Sequence, residues 1–152
     1  MITSLTTGLR IDDVLHLKTA DILKERFSIK EMKTGKTRRV RLSKKLRDEL
    51  IAISGRYFVF EHRLNPKKCR TRQAVNKDLK RACELFRVKG VNITPHTARK
   101  IFAVGEFERT CDFKHVQQLL NHSSEAVTVL YAIADARTKM ETKKKKVNIP
   151  KL

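Results

Sequence analysis

A histidine and an arginine, His96 and Arg99, stand three residues apart at the start of a predicted helix. Residues at this spacing share a helix face, so both side chains can reach one chemical group. Thr94 can cap the exposed amides of this helix and Pro95 fits its first position, which places a positive helix end beside both residues. A planar guanidinium binds phosphate through two hydrogen bonds and stays charged. The spacing therefore allows both side chains to converge on one anionic group, for which a phosphate is chemically suitable.

The charge of the chain points to a polyanionic partner. Lys and Arg number 35 against 16 Asp and Glu, which gives a net charge of +19, and the pI is about 10.3. No apolar run approaches the ~20 residues that span a bilayer, and the first residues lack a signal-peptide pattern. Three widely spaced cysteines, with no CxxC pair, suggest neither a disulfide framework nor a zinc site. We expect a cytoplasmic, nucleic-acid-binding protein without a metal.

The first half of the chain combines helices with one hairpin. Residues 10–18 place apolar side chains on one side and predict a short helix. Residues 27–32 and 38–42 partly alternate in polarity and are joined by a Gly-containing turn, which predicts a basic β-hairpin. Ser43 can cap a following helix, which Gly55 would close.

The middle of the chain predicts a strand, a connection and a long helix. Tyr57–Phe60 is an apolar run that fits a buried strand, and residues 64–72 form a polar, basic connection. A long helix follows from Thr71. Its expected inner face consists of Val75, Leu79, Ala82, Leu85 and Phe86.

Three helices and a basic tail complete the pattern. One helix should run from Pro95 to about Glu108, Asp112 can cap the next, and Ser123 or Ser124 can begin a third that reaches Tyr131. Residues 135–152 contain four consecutive lysines and too little apolar surface to fold alone. The fold class is mainly α with a small antiparallel β-sheet, an α+β domain.

Six residues in chain order, with their surroundings, resemble the tyrosine recombinase and phage integrase family. The boxes read T-G-L-R-I-x-D, K-T-G-K-x-R, T-P-H-T-A-R and L-L-N-H-S-S, and a tyrosine follows the last box. The match extends from about residue 4 to about 134. The six residues that correspond to the family's catalytic set are Arg10, Lys33, His96, Arg99, His122 and Tyr131.

The resemblance implies a transfer of a DNA phosphate to tyrosine, without metal or cofactor. Tyr131 would attack phosphorus and form a 3′-phosphotyrosyl link, with His96 as the general base. Lys33 would protonate the departing 5′ oxygen, and His122 would hydrogen-bond a phosphate oxygen. The two arginines would grip the nonbridging oxygens and stabilise the transition state. An unperturbed tyrosine has a pKa near 10, so its neighbours must help it to ionise.

Some of these assignments have rivals within the chain. Lys30, Lys36 and Arg38 lie on the same short segment as Lys33 and could take its place in the alignment. The nucleophile competes only with Tyr57, which lies in an apolar run and is better explained as part of the core.

The chain also departs from the family pattern. The family usually has Leu-Gly-His where this chain has Asn121 before its histidine, and often a second histidine where this chain has Lys100. Asn tolerates the backbone conformation that Gly supplies, so the first change is mild. Asp13 matches an acidic family position and is expected to orient Arg10 or cap a helix.

The resemblance also sets expectations for domains and partners. Residues 1–134 would form the catalytic domain, whose amino-terminal part is missing because only nine residues precede Arg10, and a fragment of a longer recombinase is favoured. Residues 135–152 would form a basic tail that docks on a neighbouring subunit in a tetramer, or that binds DNA phosphates nonspecifically. The partner would be double-stranded DNA, and an accessory DNA-bending protein is a further partner that the resemblance allows.

The leading function is a site-specific recombinase that cuts and rejoins DNA for integration or excision of a mobile element. The alternative is a noncatalytic DNA-binding regulator with the same fold. A basic RNA-binding protein would explain the charge but not the order of the boxes. A type IB topoisomerase uses closely similar chemistry and stays open as a minor enzymatic alternative.

Overall fold

The protein is described by a computed structural model over residues 1–88, 90 and 92–120. The chain divides into two compact units, Met1–Phe102 and Ala103–Leu152, and the second is described as far as Leu120. The elements are α1 (Ile2–Thr7), α2 (Ile11–Leu15), α3 (Thr19–Ile22), β1 (Arg26–Lys30), β2 (Thr37–Arg41), α4 (Lys44–Ile53), β3 (Glu61–His62), β4 (Asn65–Cys69), α5 (Arg72–Leu85), α6 (Pro95–Thr110) and α7 (Phe113–Leu119).

The β1–β2 pair forms the predicted antiparallel hairpin. Phe27 lies opposite Val40, and both side chains are buried on the inner face. Along each strand, the residues on either side of Phe27 and of Val40 are polar and exposed on the outer face, as the two-residue period of a strand requires. The hairpin therefore has one apolar face on the core and one polar face in solvent. A second antiparallel pair, β3–β4, is shorter and irregular.

The core of the first unit lies among α2, α3, the hairpin and α4. Its members are buried apolar side chains from each of these elements and from the segments between them. They are Leu9, Val14, Leu17, Ile22, Phe27, Val40, Leu42, Leu46, Leu50 and Val59.

The helix caps predicted at Ser43 and Asp112 are confirmed, and Thr71, from which a long helix was predicted to follow, is also a cap. The Ser43 hydroxyl accepts from the Leu46 amide at 3.3 Å, the Thr71 hydroxyl accepts from Ala74 at 3.2 Å, and the Asp112 carboxylate accepts from His115 at 3.0 Å. Each contact satisfies an amide that the first helical turn leaves without a partner. The helix at Pro95 also begins as predicted and runs two residues further than Glu108, to Thr110. The α4 helix ends one residue earlier than Gly55 suggested, with Ser54 as its carboxyl-terminal cap.

The expected inner face of α5 was wrong. None of its residues is buried; Leu85 is 76 % exposed and Phe86, which caps the helix, is 75 % exposed. Val75 and Leu79 are half-buried, near the end of the helix that packs against α2. Helical spacing shows which residues share a face, but it does not show whether another element covers that face.

The Tyr57–Phe60 run is not a strand, and Tyr57 is not a core residue. Only Phe58 makes a β-bridge, to Lys18, and Val59 is the buried member of the run. Tyr57 is 43 % exposed, and the guanidinium of Arg56 lies 5.5 Å from its ring centroid. An amphipathic tyrosine ring is well placed at such a surface.

The sequence patterns did not predict α1, which precedes Arg10, or α3. They also missed the β3–β4 pair, whose second strand occupies part of the segment expected to be an irregular connection. Among the described residues, no helix is long and apolar enough to cross a membrane.

Candidate active site

Arg10 is a buried arginine at the start of α2. Its backbone carbonyl accepts from the Val14 amide, so the residue is fixed as the amino-terminal cap of that helix. Its Nη1 donates to Oε2 of Glu31 at 2.8 Å, and both side chains are almost fully buried. A guanidinium held in this way has a defined orientation before any ligand binds.

Glu31 links Arg10 to the turn between β1 and β2. Its carboxylate also accepts from the Thr34 hydroxyl at 2.9 Å and lies 3.7 Å from Nη1 of Arg38. Its backbone carbonyl accepts from the Gly35 amide at 2.8 Å, and its amide donates to Lys36 at 2.9 Å. Glu31 therefore joins the first arginine to the hairpin through both its side chain and its main chain.

Arg38 belongs to this buried network. Its Nη2 donates to the Thr7 carbonyl at 2.6 Å, three residues before Arg10. Burial lowers the pKa of Arg38, and the negative charge of Glu31 opposes that shift. Because its guanidinium contacts the Thr7 carbonyl and Glu31 inside the protein, Arg38 fits the general-acid role less well than Lys33 does.

Arg99 lies in the second turn of α6 and is buried. Its Nη1 donates to the Gly8 carbonyl, in the segment that leads to Arg10. Gly8 has a φ of +65°, and a side chain there would collide with the ring of Phe102. Glycine at this position allows the segment before Arg10 to lie against α6, which brings Arg99 to the same backbone as Arg10.

Asp13 lies beside both arginines. Its Oδ1 accepts from the Met32 amide at 2.8 Å, which ties α2 to the end of the hairpin. Burial raises the pKa of Asp13, and the negative charge of Glu31 raises that pKa further. The hydrogen bond from the Met32 amide and the charges of Arg10 and Arg99 act in the opposite direction. The expectation that Asp13 orients Arg10 or caps a helix stays a prediction, because the hydrogen bond seen here joins Asp13 to the Met32 amide.

Within the described residues, the network gathers several charges in a buried place. There, three guanidinium groups, from Arg10, Arg38 and Arg99, lie near two carboxylates, from Asp13 and Glu31. Charges in such surroundings interact more strongly than they do in water. The arrangement suits an anion with several oxygens, such as a phosphodiester.

Lys33 lies in the β1–β2 turn and is exposed. It follows Glu31 by two residues, so the contacts of Glu31 fix the base of the turn that carries it. The other two lysines considered for its role, Lys30 and Lys36, are exposed as well.

His96 is half-buried in the first turn of α6, one turn before Arg99. Its Nε2 lies 3.1 Å from Nη2 of Arg72. Nη1 of Arg72 lies 3.9 Å from a carboxylate oxygen of Asp12. Because arginine can only donate, Nε2 of His96 accepts this hydrogen bond and its proton lies on Nδ1.

The structure places four of the six predicted residues. Arg10 and Arg99 share one buried network, His96 lies a turn from Arg99, and Lys33 lies on the turn that the network holds. His122 and Tyr131 lie outside the described residues. Within the described part of the chain, no group of His, Cys, Asp and Glu side chains could hold a metal ion.

Sequence reasoning missed Glu31, Arg38 as a structural residue, and Arg72. An acidic residue two positions before the lysine of a basic hairpin was the only available signal for Glu31. Nothing local in the sequence pairs Arg72 with a histidine 24 residues away.

Comparison with known proteins identifies a family. The sequence model of the phage integrase family matches residues 2–137. The tyrosine recombinase XerA of Pyrococcus furiosus is 31% identical over 139 residues, which cover 86% of this chain and 48% of the relative. The probable integrase/recombinase YoeC of Bacillus subtilis is 30% identical over 146 residues, which cover 90% of this chain and 77% of the relative. The chain therefore spans about half of XerA and most of YoeC.

Solved structures agree with the fold. The crystal structure of XerA recombinase matches with a TM-score of 0.68 and 19% identity, over 99% of this chain and 56% of that one. The site-specific recombinase XerH, bound to its palindromic difH substrate after cleavage, matches with a TM-score of 0.66 and 21% identity, over 92% of this chain and 42% of that one. The predicted fold, mainly helical with small antiparallel sheets, is confirmed.

Proposed function

The chain belongs to the phage integrase family, and on that premise we propose that it is the catalytic part of a site-specific DNA recombinase. It would cut and rejoin double-stranded DNA for the integration or excision of a mobile element. The buried network of Arg10 and Arg99 is the observation that carries this proposal. It offers two oriented guanidinium groups at one place, as a reacting phosphodiester requires.

The proposed reaction is a phosphoryl transfer to Tyr131. The phenol oxygen attacks phosphorus, the bond from phosphorus to the 5′ oxygen breaks, and a 3′-phosphotyrosyl link forms. His96 accepts the phenol proton, and Lys33 donates a proton to the departing 5′ oxygen. Arg10, Arg99 and His122 hold the phosphate oxygens. Reversal by another 5′ hydroxyl rejoins the strand, because the intermediate keeps the energy of the broken bond.

The contacts within the described residues support three of these roles. Arg10 and Arg99 are oriented by Glu31 and by a backbone carbonyl, which reduces the reorganisation needed when phosphate binds. The neutral form of His96, with a lone pair on Nε2, is the form that can accept a proton.

A covalent-capture experiment tests the proposal. The protein is incubated with nicked duplexes from candidate junctions of mobile elements, and a protein–DNA adduct is sought on a denaturing gel. The chain offers a matched control because it contains only two tyrosines. Tyr131→Phe should abolish the adduct, whereas Tyr57→Phe, which removes a surface hydroxyl, should leave it unchanged.

Other outcomes would change the assignment. An adduct that still forms with the Tyr131→Phe variant would show that Tyr131 is not the nucleophile. Salt-sensitive DNA binding without any adduct would favour the noncatalytic regulator. Relaxation of supercoiled DNA without sequence preference would favour a topoisomerase.

The domain and assembly expectations extend the same proposal. Residues 1–134 would act as the catalytic domain. Residues 135–152, which lie outside the described residues, would dock on a neighbouring subunit in a DNA-bound tetramer. The DNA-bound state of XerH makes duplex DNA the natural partner to test first.

A further inference from the structure

The outer side of the β1–β2 hairpin is strongly basic. Its six residues are all exposed and alternate with the inward residues of both strands. We call them the outward hairpin face: Arg26, Ser28, Lys30, Thr37, Arg39 and Arg41. Four of the six carry a positive charge and none carries a negative one.

The strand register brings like charges together on this face. Arg26 lies directly opposite Arg41, and Ser28 separates Arg26 from Lys30 along the same strand. Like charges directly opposite each other on one face destabilise a sheet. The pairing of Arg26 with Arg41 therefore does not stabilise the folded hairpin.

Internal partners account for little of this charge. Arg41 pairs with Glu25 at 2.8 Å, but both side chains are more than half exposed. Arg26 and Arg39 form no ion pair with any residue that the structure describes. By contrast, the inward-facing Arg38 of the same hairpin meets the buried Glu31. The outward cations remain available to an external anion.

We propose that the outward hairpin face is a second DNA-contact surface, which binds the phosphate backbone of duplex DNA beside the reacting phosphate. This inference rests on the proposed function, since that function brings Lys33, at the tip of the same hairpin, to the cleavage point. The two strands lead away from that tip, so the cations on their outward face would lie along the DNA phosphate backbone next to the cleavage point.

The dimensions of the face suit this role. The five residues of a strand are separated by four steps of about 3.3 Å, so the first and last lie roughly 13 Å apart. A DNA strand presents one phosphate per ~3.4 Å of helix axis, so three or four phosphates fall within this reach. Arg26, Arg39 and Arg41 also line one open groove, where a phosphate can meet more than one guanidinium.

The test removes the charge and measures how binding depends on salt. The variant Arg26→Gln/Arg39→Gln/Arg41→Gln is titrated with a duplex of arbitrary sequence over a range of salt concentrations. The slope of log K against log salt is negative, and each lost phosphate contact reduces its magnitude by about 0.9. The loss of three contacts should therefore reduce the magnitude by roughly 2 to 3. The matched variant with lysine at the same three positions keeps the charge. Its slope should differ from that of the wild type by less than the value of one phosphate contact, about 0.9.

Thermal unfolding separates this effect from misfolding. Because the glutamines remove the repulsion between positions 26 and 41, the Gln variant should melt at or above the temperature of the wild type. Weaker DNA binding together with undiminished stability is the result that supports a contact surface.

Several results would overturn the proposal. An unchanged slope in the Gln variant would exclude a contact between the outward hairpin face and DNA. If that variant also aggregated, the cations would serve only to protect exposed strand edges. The same loss of slope after neutralising Arg63, Lys67 and Lys68, on the β3–β4 hairpin, would indicate a general effect of net charge. Loss of binding to polyglutamate without loss of DNA binding would point to an acidic protein partner. Failure of the wild type in covalent capture would count against the recombinase function alone, because the salt slope needs no cleavage.

Discussion

The side chain of Arg10 donates to the side chain of Glu31 across 2.8 Å, in a place where both are almost fully buried. Arg10 is the cap of α2 and Glu31 directly follows β1, so this ion pair fixes the first arginine relative to the hairpin. A surface ion pair at the same distance, between Arg41 and Glu25, offers a direct comparison.

The first prediction concerns the free energy of unfolding. Glu31→Ala leaves Arg10 and Arg38 as buried charges without their carboxylate, and should lower the free energy of unfolding by roughly 3–5 kcal/mol. Glu31→Gln keeps an acceptor for Arg10 and should cost less. Urea unfolding measures both.

Glu25→Gln is the matched control for this prediction. The pair that it breaks is exposed, so the loss should be about 0–1 kcal/mol. Equal losses at the two glutamates would mean that burial does not strengthen the Arg10–Glu31 contact.

The second prediction concerns pH and Asp13. Burial raises the pKa of Asp13 in the folded protein above its ordinary value of 3.8. The folded protein thus holds the proton more tightly than the unfolded chain does. The stabilisation from protonated Asp13 is complete below pH 3.8 and is lost as the pH rises through the folded-state pKa.

Asp13→Asn isolates this effect, since asparagine keeps an acceptor for the Met32 amide but cannot ionise. As the pH rises from below 3.8 towards neutral, the free energy of unfolding of the wild type should fall relative to that of the variant. Urea titrations at a series of pH values measure the difference. A difference that stays constant with pH would show that Asp13 ionises equally easily in both states.

Local chemistry explains which parts of the fold were predictable. The caps at Ser43, Thr71 and Asp112 and the helix start at Pro95 depend on residues within one turn of each other. The hairpin follows from alternating polarity and a Gly-containing turn. The ordered family boxes also indicated Arg10, Lys33, His96 and Arg99 as candidate site residues.

Long-range contacts explain what the sequence did not predict. Phe86 lies on an apolar helix side that no described element covers, and no local pattern records that absence. Glu31 looks like an ordinary charged residue in a basic strand, and its burial depends on Arg10, 21 positions away. Tyr57 was judged by its apolar neighbours, although Val59 alone of that run is buried.

The third prediction separates backbone strain from crowding at two glycines. Gly8 and Gly35 have nearly equal φ values, +65° and +66°. Alanine at Gly35 meets only the end of the Lys30 side chain, at 4.0 Å, so it should cost only the strain of a left-handed residue, about 1–2 kcal/mol. Alanine at Gly8 also collides with the Phe102 ring, which should add roughly 1–3 kcal/mol.

Urea unfolding of the two alanine variants measures the difference. Adding Phe102→Leu to Gly8→Ala should recover part of the added loss, because it relieves the collision but not the strain. Identical losses for the two glycines would exclude close packing of the Gly8 segment against α6.

The fourth prediction concerns the proton of His96. Nη2 of Arg72 lies 3.1 Å from Nε2 of His96, and arginine has no acceptor. Nε2 must therefore accept, and the proton of the neutral ring must lie on Nδ1. This form keeps the lone pair on Nε2, as the proposed role of His96 as general base requires.

The position of that proton can be measured directly by ¹⁵N NMR of histidine-labelled protein, with the His96 signals assigned by their loss in His96→Gln. The wild type should show His96 with its proton on Nδ1, and Arg72→Ala should remove this preference. Arg70→Ala is the control, because Arg70 is two positions away but pairs with Asp78, at 2.5 Å, instead of His96. A proton on Nε2 in the wild type, or an unchanged spectrum in Arg72→Ala, would mean that Arg72 does not set the form of His96. In that case the α5 amino terminus would have no part in setting the ring form of His96, the residue that we propose as the base.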